Sequence, residues 1–436
     1  MTHFMIAGGG IAGLTTALAL HRAGFTEVTV VEAAREIRPV GAGLNILPNA
    51  VRELDELGLL AELSRRGLPT RELRYYHARG GLISRDPRGI AAGYHWPQLS
   101  IARGALQTVL ADAVRERLGP DAVVPGVRVA GIEQQPHGRP RVRVRHRDGV
   151  HRGSGSLEPD VLIGADGIRS AVRAGLNPGE GEPPWNGLVI WRGVSRVPAK
   201  HASTFMFIAG DDRQKAVVYP IAEPDPEDGT TLMNWALAVP GDAAAGPDAG
   251  SPGAYRGDWD RRVPVERCAR QFAGWEFDGV AVERVVGAAE EAYAYPMVDR
   301  EPLERWSHGR TTLVGDAAHA MYPAGSNGAT QSIVDARALA RALSVHRDPT
   351  EALAAYEAER RPAMTELQHA NRHMGPEIVI NLAHERAPDG FTDIDEVIPP
   401  TERAAIAARY AAQGAFDPTT VNLGSPYTPG RPPALG

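Results

Sequence analysis

Apolar and polar positions follow two different periods over the first thirty residues of this chain of 436 residues. An apolar run, HFMIA, stops at three glycines, and a helical pattern, IAGLTTALALHRAG, comes next. A second apolar run, EVTVVE, ends at Glu32. Short apolar runs are typical of buried strands, and apolar positions repeating every 3.6 residues are typical of helices. The pattern therefore predicts a strand, a glycine turn, a helix and a second strand.

The same succession of strand, turn and helix returns twice. It occurs in DVLIGADGIRSAVR, residues 160–173, and again from RTTLVGDAAHAMYPAGSNG, residues 310–328, into the helical pattern that follows. Further amphipathic helices are predicted over 46–66, broken at Gly58, and over 103–118. ALAAYEAERRPAMTELQHANRHM predicts one more helix, interrupted at Pro362, because proline cannot donate the helical hydrogen bond.

Residues 183–297 have a different pattern. Apolar segments such as LVIWRGV, STFMFIAG, KAVVYPI and TLMNWALAVP are short and separated by turns, with no long helix between them. Strands that follow one another across turns pair most readily as antiparallel neighbours. This region therefore predicts a large, mostly antiparallel sheet. Beyond Pro376 the chain contains a short helical pattern, TERAAIAARYAAQ, and ends in a segment rich in proline and glycine.

The first glycine turn carries the pattern G-x-G-x-x-G at Gly8, Gly10 and Gly13, directly after a strand and at the start of a helix. The first glycine allows the tight turn, the second lets a pyrophosphate approach the backbone, and the third lets helix and strand pack closely. Glu32 lies about 20 residues further on, where an acid binds a ribose hydroxyl. The stretch predicts a dinucleotide site and, taken alone, suggests an NAD-type dehydrogenase.

Composition narrows the class of protein. The formal net charge is −6, which gives no electrostatic support to nucleic-acid binding. No apolar run approaches the roughly 20 residues that cross a bilayer, so we expect no membrane segment. Cys268 is the only cysteine, which excludes an internal disulfide and a cysteine metal cluster and favours the reducing cytoplasm. We expect a globular enzyme of two interleaved domains, acting on a small molecule as a monomer or homodimer.

The second and third glycine turns also contain acids, in the pairs Asp166–Gly167 and Gly315–Asp316, and a simple dehydrogenase needs fewer than three such turns. Together with DGIRSAVR and GDAAHAMYPAGSNG, the first turn resembles the signatures of the class A flavoprotein monooxygenases, the FAD-dependent aromatic hydroxylases. The resemblance runs from Met1 to about Met374. EIRPVGAGLNI, WPQLSIARGALQ, WRGV and YPMVDREPL are similar to the phenazine-carboxylate and salicylate hydroxylase branch.

The resemblance implies an α/β fold in which a Rossmann-like FAD-binding domain of the glutathione-reductase type is interleaved with a mostly antiparallel substrate domain, followed by C-terminal helices. The FAD-binding domain would comprise residues 1–70, 100–180 and 298–375. The substrate domain would comprise 71–99 and 181–297. Residues 376–436 would form a partly irregular C-terminal extension.

It also implies which residues contact FAD. The glycine turn would hold the pyrophosphate, Glu32 the adenosine ribose, Arg103 the phosphates, and Asp316 the ribityl chain. Pro323, Gly325 and Gly328 belong to the loop that would cover the isoalloxazine, and no acid or base is assigned to catalysis. His319 is interpreted as a packing or orienting residue. The full set of implied cofactor contacts is Gly8, Gly10, Gly13, Glu32, Gly43, Arg103, Asp166, Gly315, Asp316, Pro323 and Gly328.

The chemistry implied by the resemblance is hydroxylation of an aromatic substrate, polycyclic or carboxylated, by a flavin C4a-hydroperoxide formed with O₂ after reduction by NADH or NADPH. Because no second G-x-G-x-x-G is present, the nicotinamide donor would bind only transiently. The substrate would lie between the flavin and the sheet of residues 183–240. The candidate wall residues are Leu44, Ile46, Tyr75, Trp191, Met206, Tyr219, Trp235, Met297 and Pro323.

Several alternatives stay open at this point. An epoxidase, or a hydroxylase that decarboxylates its substrate, shares every motif. A flavin reductase without oxygenation and a non-catalytic FAD-binding regulator are also compatible with the first turn. A flavin halogenase is disfavoured because Lys200 and Lys215, the only lysines, lie outside a W-x-W-x-I-P context. A Baeyer–Villiger enzyme is disfavoured because F-x-G-x-x-x-H and a second dinucleotide fingerprint are missing.

Overall fold

A computed structural model describes residues 1–37, 42–133, 138–146, 154–211, 213–245 and 261–428 of the chain. Its strands are β1 (Phe4–Ala7), β2 (Val28–Glu32), β3 (Gly43–Ile46), β4 (Gly67–Thr70), β5 (Glu72–His77), β6 (Leu82–Pro87), β7 (Gln98–Ala102), β8 (Val123–Pro125), β9 (Val127–Glu133), β10 (Arg141–His146), β11 (Ser154–Leu157), β12 (Val161–Gly164), β13 (Trp185–Pro198), β14 (Met206–Gly210), β15 (Lys215–Pro220), β16 (Thr230–Pro240), β17 (Arg261–Val263), β18 (Glu276–Phe277), β19 (Val280–Ala281), β20 (Ala292–Val298) and β21 (Thr311–Leu313).

The α-helices of the same residues are α1 (Ile11–Arg22), α2 (Pro48–Glu56), α3 (Leu60–Arg66), α4 (Arg103–Leu118), α5 (Ala171–Leu176), α6 (Gly241–Ala245), α7 (Val265–Gln271), α8 (Val282–Gly287), α9 (Asp316–His319), α10 (Asn327–Val345), α11 (Pro349–Arg372), α12 (Ile378–Arg386), α13 (Ile394–Val397), α14 (Pro400–Gln413) and α15 (Pro418–Val421). The break predicted at Gly58 separates α2 from α3, and the helix predicted near the C-terminus is α14.

The first sheet has the strand order β21-β12-β1-β2-β8, and its pairings are parallel. Strands β1 and β12 are buried along their whole length, as expected for parallel strands covered on both faces. Helix α1 packs against α10 and α4. The three turns noted in the sequence follow β1, β12 and β21, which are adjacent in this sheet. They therefore lie side by side at its carboxyl edge, where ligands bind in open α/β sheets.

The second large sheet has the order β17-β20-β13-β16-β15-β14-β5-β6. All its pairings are antiparallel except the parallel pair of β14 and β5. One face is covered by α7 and α8, and α12 packs on part of the other. Smaller antiparallel sheets have the orders β11-β10-β9 and β3-β7-β4. The predicted combination of a Rossmann-like sheet with a mostly antiparallel sheet is confirmed.

The predicted division into domains follows these sheets, and it remains a prediction. Strands of the parallel sheet come from residues 1–70, 100–180 and 298–375, and those of the large sheet come almost wholly from 71–99 and 181–297. Within the C-terminal extension, residues 376–428 contain α12 to α15, and residues 429–436 lie outside the described chain.

The interruption predicted at Pro362 is wrong, because α11 continues through it to Arg372. Proline removes one backbone hydrogen bond, but the helix is fixed on both sides of it. Arg360 is bonded to Asp335 and Gln331, and Met364 is fully buried. Tertiary packing thus outweighs the local cost of proline. Among the helices that the structure describes, none is both long and apolar enough to cross a membrane.

Candidate active site

The first turn, between β1 and α1, depends on three glycines for different reasons. Gly8 has a φ of +109°, and a Cβ there would overlap the carbonyl oxygen of Ala165. A Cβ at Gly13 would overlap the carbonyl oxygen of Gly8. A Cβ at Gly10 would meet no protein atom within 4 Å. Gly8 and Gly13 are therefore required by the protein itself, whereas the space beside Gly10 is open for a ligand.

The N-terminus of α1 faces this open space. Gly10 precedes the helix, no side chain caps it, and its first turn contains no acid. The first backbone N–H groups are thus free for an anion. Glu32 lies beside the turn, where its carboxylate accepts hydrogen bonds from the N–H groups of Gly9 and Ala34, both at 2.7 Å. These two bonds fix the acid at the end of β2.

The second turn is held together by Asp166. Its carboxylate accepts from the Ser170 hydroxyl and from the N–H groups of Ala171 (2.7 Å) and Val172 (3.3 Å). Burial raises the pKa of this carboxyl, although Ser170 and the backbone donors oppose the shift. Both oxygens therefore bond within the turn at the start of α5. A direct contact of Asp166 with FAD or NAD(P)H remains a prediction.

The third turn places Asp316 at the surface, next to the start of α10. Gly315 has a φ of +59°, and a Cβ there would lie 2.6 Å from the Ser332 hydroxyl. Asp316 is exposed, and its carboxylate has no hydrogen-bond partner among the described residues. Oδ1 of Asp316 lies 3.9 Å from the Cβ position of Gly328. This carboxylate therefore borders the same space as the α10 N-terminus.

A buried ion network supports the third turn from behind. Asp335 of α10 accepts from the Gly315 N–H at 3.0 Å, contacts His319 Nε2 at 2.5 Å, and accepts from Arg360 Nε at 2.8 Å. Burial opposes ionisation, but His319 and Arg360 lower the pKa of Asp335 to about 2. His319 is fully buried, with its ring 5.3 Å from that of Trp306. This position agrees with a packing or orienting role for His319.

The loop Pro323–Gly328 connects the third turn to α10. Pro323 is exposed, while Gly325 and Ser326 have φ angles of +63° and +61°. Ser326 occupies the cap position of α10 without capping it through its side chain. The N-terminal N–H groups of this 19-residue helix therefore lack a side-chain acceptor, and its dipole presents a positive end beside Gly328.

Three of the predicted wall residues share one face of the large sheet. Tyr75, Met206 and Tyr219 are buried in the same apolar cluster, on adjacent strands of the order β15-β14-β5. Burial raises the pKa of Tyr219, although Arg192 and Asn45 oppose it. The side chain of Asn45, on β3, lies beside Tyr219. Strand β3 belongs to the part of the molecule built around the parallel sheet, which we call the dinucleotide side. This face of the large sheet is therefore turned towards the dinucleotide side.

Trp191 and Trp235 lie on the opposite face of the sheet, so the prediction that they form a wall of the substrate site is wrong. Both are fully buried in the cluster covered by α7 and α8. Trp235 donates to the Ser195 hydroxyl at 2.9 Å, and its ring fills the space that a side chain at Gly193 would take. Successive strand residues point to opposite faces, so both tryptophans point away from Tyr219.

Alternation along β3 also corrects Leu44 and Ile46. Gly43 and Asn45 face the large sheet, whereas Ile46 is buried among Val51, Leu54 and Ile101 in the core of the dinucleotide side. Leu44 packs against the same core. These two side chains therefore point away from the proposed substrate face, and their assignment to its wall is wrong.

Gly43 makes a close approach to the large sheet, and its contact with the cofactor remains a prediction. A Cβ at Gly43 would lie 2.8 Å from side-chain atoms of Asn234 and Ile221, and its N–H donates to Asn234 Oδ1 at 2.6 Å. Gly41 lies outside the described residues. Met297 is partly exposed on β20, with its sulfur 3.2 Å from the Asn186 amide.

Sequence reasoning missed Arg192, which lies on the substrate-facing side of β13. Its neighbour Trp191 points to the opposite core, and the pKa of Arg192 is lowered first by burial and also by Arg103, while Tyr219 and Tyr295 raise it. Its Nε is buried without a hydrogen-bond partner in the described part of the chain. A charged residue at the inward position of the apolar strand LVIWRGV was the signal that could have identified it.

Comparison with known proteins identifies the family. A family model described as an FAD binding domain matches residues 1–245 and 277–370. The phenazine 1,6-dicarboxylic acid hydroxylase PhzS of Lysobacter antibioticus is 43% identical over 373 residues, 85% of this chain and 89% of that protein. The chain belongs to the FAD-dependent aromatic hydroxylases. The 3-amino-4-hydroxybenzoate 2-monooxygenase PtmB3 of Streptomyces platensis is 34% identical over 386 residues, 85% of this chain and 87% of that protein.

The fold of this flavoprotein monooxygenase agrees with that of solved structures. The Klebsiella pneumoniae protein HpxO, complexed with FAD and uric acid, superposes with a TM-score of 0.70 at 22% identity, covering 97% of this chain and 97% of that one. The residues present fit FAD. The open space at Gly10, the uncapped α1 N-terminus and the ordered Glu32 carboxylate match the needs of a pyrophosphate and a ribose.

Proposed function

We propose that this monooxygenase uses NADH or NADPH and O₂ to hydroxylate an aromatic carboxylic acid, polycyclic or of salicylate size, bound against the large sheet. Bound FAD would supply hydride acceptance from the nicotinamide and activation of O₂. The single observation that carries the substrate class is Arg192, a half-buried cation whose Nε is buried and which has no carboxylate partner among the described residues. A guanidinium in such a place needs an anion, and a substrate carboxylate provides one.

The chain's own residues would divide the remaining tasks. Gly8, Gly10 and Gly13, with the α1 N-terminus, would hold the pyrophosphate. Glu32 would bind the adenosine ribose, and Arg103 would reach the phosphates.

On the other side of the site, Asp316 would bind the ribityl chain. Pro323, Gly325 and Gly328 would cover the isoalloxazine ring. The positive end of α10 would stabilise negative charge on that ring. Gly315 would allow the left-handed turn that presents Asp316, and Asp166 would keep the neighbouring turn closed.

The substrate ring would lie between this loop and the sheet. Tyr75, Met206 and Tyr219 supply a buried apolar surface, which excludes water and holds the ring in one orientation. Arg192, on the same face, would fix the carboxylate end. Met297 remains a candidate at the edge of this surface. The phenazine dicarboxylate and aminohydroxybenzoate named for the two relatives are also aromatic acids, which supports this class.

Location and assembly are part of the proposal. We propose a cytoplasmic protein that acts as a monomer or homodimer. Cys268 is the only cysteine, so the chain has no internal disulfide, which supports a reducing compartment. Its thiol is buried, and burial raises its pKa to about 12, which leaves it unreactive.

Replacing Arg192 by methionine tests the substrate class. We expect KM for the aromatic acid to rise about 10- to 100-fold, because hydrogen bonds to charged groups contribute about 1.5–3 kcal/mol. The effect on kcat should be smaller, and binding of the decarboxylated analogue should not change. Steady-state kinetics and substrate-induced changes in flavin absorbance measure both quantities.

Arg196→Met is the matched control, because Arg196 lies on the same strand but is exposed. Its KM should equal that of the unmodified enzyme. If Arg192→Met also left KM for every aromatic acid unchanged, the carboxylate would bind elsewhere.

The mass of the product separates hydroxylation, which adds one oxygen, from decarboxylative hydroxylation, which also removes carbon dioxide.

A further inference from the structure

The C-terminal segment beyond the family match makes direct contact with the loop Pro323–Gly328. The FAD-binding family model ends at residue 370. Tyr410 of α14 is buried, and its hydroxyl donates to Asn371 Oδ1 at 2.6 Å and accepts from Asn327 Nδ2 at 2.9 Å. The carbonyl oxygen of Ala324 lies 3.1 Å from the same hydroxyl. One side chain thus joins the loop, the end of α11 and the C-terminal segment.

The ring of Tyr410 occupies space that two glycines leave free. A Cβ at Gly325 would overlap the tyrosine ring, and a Cβ at Gly375 would lie 2.8 Å from it. Both glycines have positive φ angles, +63° and +52°. The loop and the residues after α11 are therefore shaped around this aromatic ring, and Phe416 packs on it with a centroid distance of 5.7 Å.

Backbone strain is concentrated at the same place. Within the described residues, four non-glycine residues have positive φ angles, and three of them are Ser326, Met374 and Ala415. Ser326 follows Gly325, Met374 precedes Gly375, and Ala415 precedes Phe416. Such conformations persist only where the surrounding contacts impose them. Each of the three is next in sequence to a residue that packs on Tyr410, namely Gly325, Gly375 or Phe416.

A second bridge runs from the loop to the large sheet. Glu377 is buried, accepts from the Gly325 N–H at 3.3 Å, and pairs with Lys215 Nζ at 2.5 Å. Lys215 begins β15, the strand that contains Tyr219, and the two side chains point to the same face because they are four residues apart. Glu377 therefore links the loop to the sheet face that would hold the substrate.

We propose that Tyr410 and Glu377 form a clamp that holds the loop Pro323–Gly328 against the large sheet, so that the C-terminal segment is part of the active site. This inference rests on the proposed role of the loop over the flavin. Tyr410 and Glu377 are positioning residues, since they act through the loop. A looser loop would admit water and misplace the substrate ring, so that O₂ would be reduced by NAD(P)H to hydrogen peroxide without oxygen transfer.

The test compares Tyr410→Phe and Glu377→Gln with the control Tyr94→Phe. Tyr94 also donates its hydroxyl to the C-terminal segment, at 2.5 Å from the Phe416 carbonyl oxygen, but it lies outside the clamp. Amide hydrogen exchange of residues 321–330 is measured first without FAD. In both clamp variants we expect it to accelerate at least about three- to tenfold, the factor for one hydrogen bond, because Tyr410→Phe removes both bonds of the hydroxyl and Glu377→Gln removes the ion pair with Lys215. In Tyr94→Phe the exchange should stay unchanged.

The holoenzymes are then compared by the ratio of hydrogen peroxide formed to NAD(P)H consumed. This ratio should rise in the clamp variants and stay unchanged in Tyr94→Phe, with KM affected less than coupling. If amide hydrogen exchange of residues 321–330 were as slow in Tyr410→Phe as in Tyr94→Phe, Tyr410 would not hold the loop, and the proposed clamp would be wrong. Failure of the unmodified chain to bind FAD or to oxygenate any substrate would instead overturn the proposed function, and the exchange measurement distinguishes the two because it needs no flavin.

Discussion

Replacing Gly10 by alanine should leave the FAD-free protein as stable as before and weaken FAD binding about 100-fold. The backbone at Gly10, with φ −78° and ψ −175°, is open to any residue, and the added Cβ would meet no protein atom within 4 Å. The added methyl group would meet only the pyrophosphate. Displacing a tightly packed group costs about 1–3 kcal/mol, and the upper part of that range corresponds to about a 100-fold change in affinity.

Gly13→Ala is the counterpart that separates folding from binding. Its Cβ would overlap the Gly8 carbonyl oxygen, so α1 would have to move off β1 even without the cofactor. We expect a loss of about 3 kcal/mol or more in the free energy of unfolding of the FAD-free protein. Thermal unfolding and flavin fluorescence titration measure the two properties. FAD binding by Gly10→Ala as tight as that of the unmodified chain would show that the pyrophosphate does not approach Gly10.

Replacing Asp335 by asparagine should destabilise the protein by about 3–5 kcal/mol, because it leaves Arg360 and His319 buried without their carboxylate. It should also loosen the third turn, since the same carboxylate holds the Gly315 N–H. Urea unfolding measures the change. Asp348→Asn, at an exposed helix cap, is the control and should change stability little, because asparagine caps helices as well as aspartate does.

The loss of stability caused by Asp335→Asn should depend on pH in a definite direction. The pKa of Asp335 is lowered from 3.8 to about 2, so the ionised carboxylate stabilises the folded chain at every pH above about 4. That stabilisation is lost as the pH falls from about 4 through about 2. The contribution of this carboxylate to the difference in unfolding free energy between the unmodified chain and Asp335→Asn should therefore be complete above about pH 4, and the difference should narrow below that pH. A difference that does not narrow would contradict the role of the charge.

The dinucleotide side of the molecule could be predicted from the sequence because its constraints are local. Gly8, Gly13 and Gly315 occupy positions where the backbone itself needs glycine, and Glu32 follows from its spacing. The substrate side could not be predicted in the same way. Along β13 and β16 one face is buried and the other is mostly half-buried or exposed, but apolar residues such as Val194 and Leu232 also lie on the second face. An aromatic residue therefore gives no sign of the face on which it lies. For this reason the sequence pattern places Trp191 and Trp235 on the wrong face of the sheet.

Arg192 and Tyr410 show two different limits of sequence reasoning. Arg192 was identifiable in principle, since an inward charge on an apolar strand is unusual, but its lack of a partner is visible only in three dimensions. Tyr410 is 83 residues away from Asn327, and their contact depends on the path of the whole C-terminal segment. The interruption wrongly predicted at Pro362 has the same origin, because contacts of Arg360 with α10 keep α11 continuous.

Incorporation of oxygen from labelled O₂ into the product tests whether this chain hydroxylates aromatic acids. The purified FAD enzyme is given NADH or NADPH, oxygen-18 gas and a panel of aromatic carboxylic acids, and the products are weighed by mass spectrometry. We expect one labelled oxygen atom in the product for each NAD(P)H consumed. Two results would contradict this function when every acid is recovered unchanged. In one, NAD(P)H is consumed and the labelled oxygen appears only in hydrogen peroxide. In the other, NAD(P)H is consumed without uptake of oxygen.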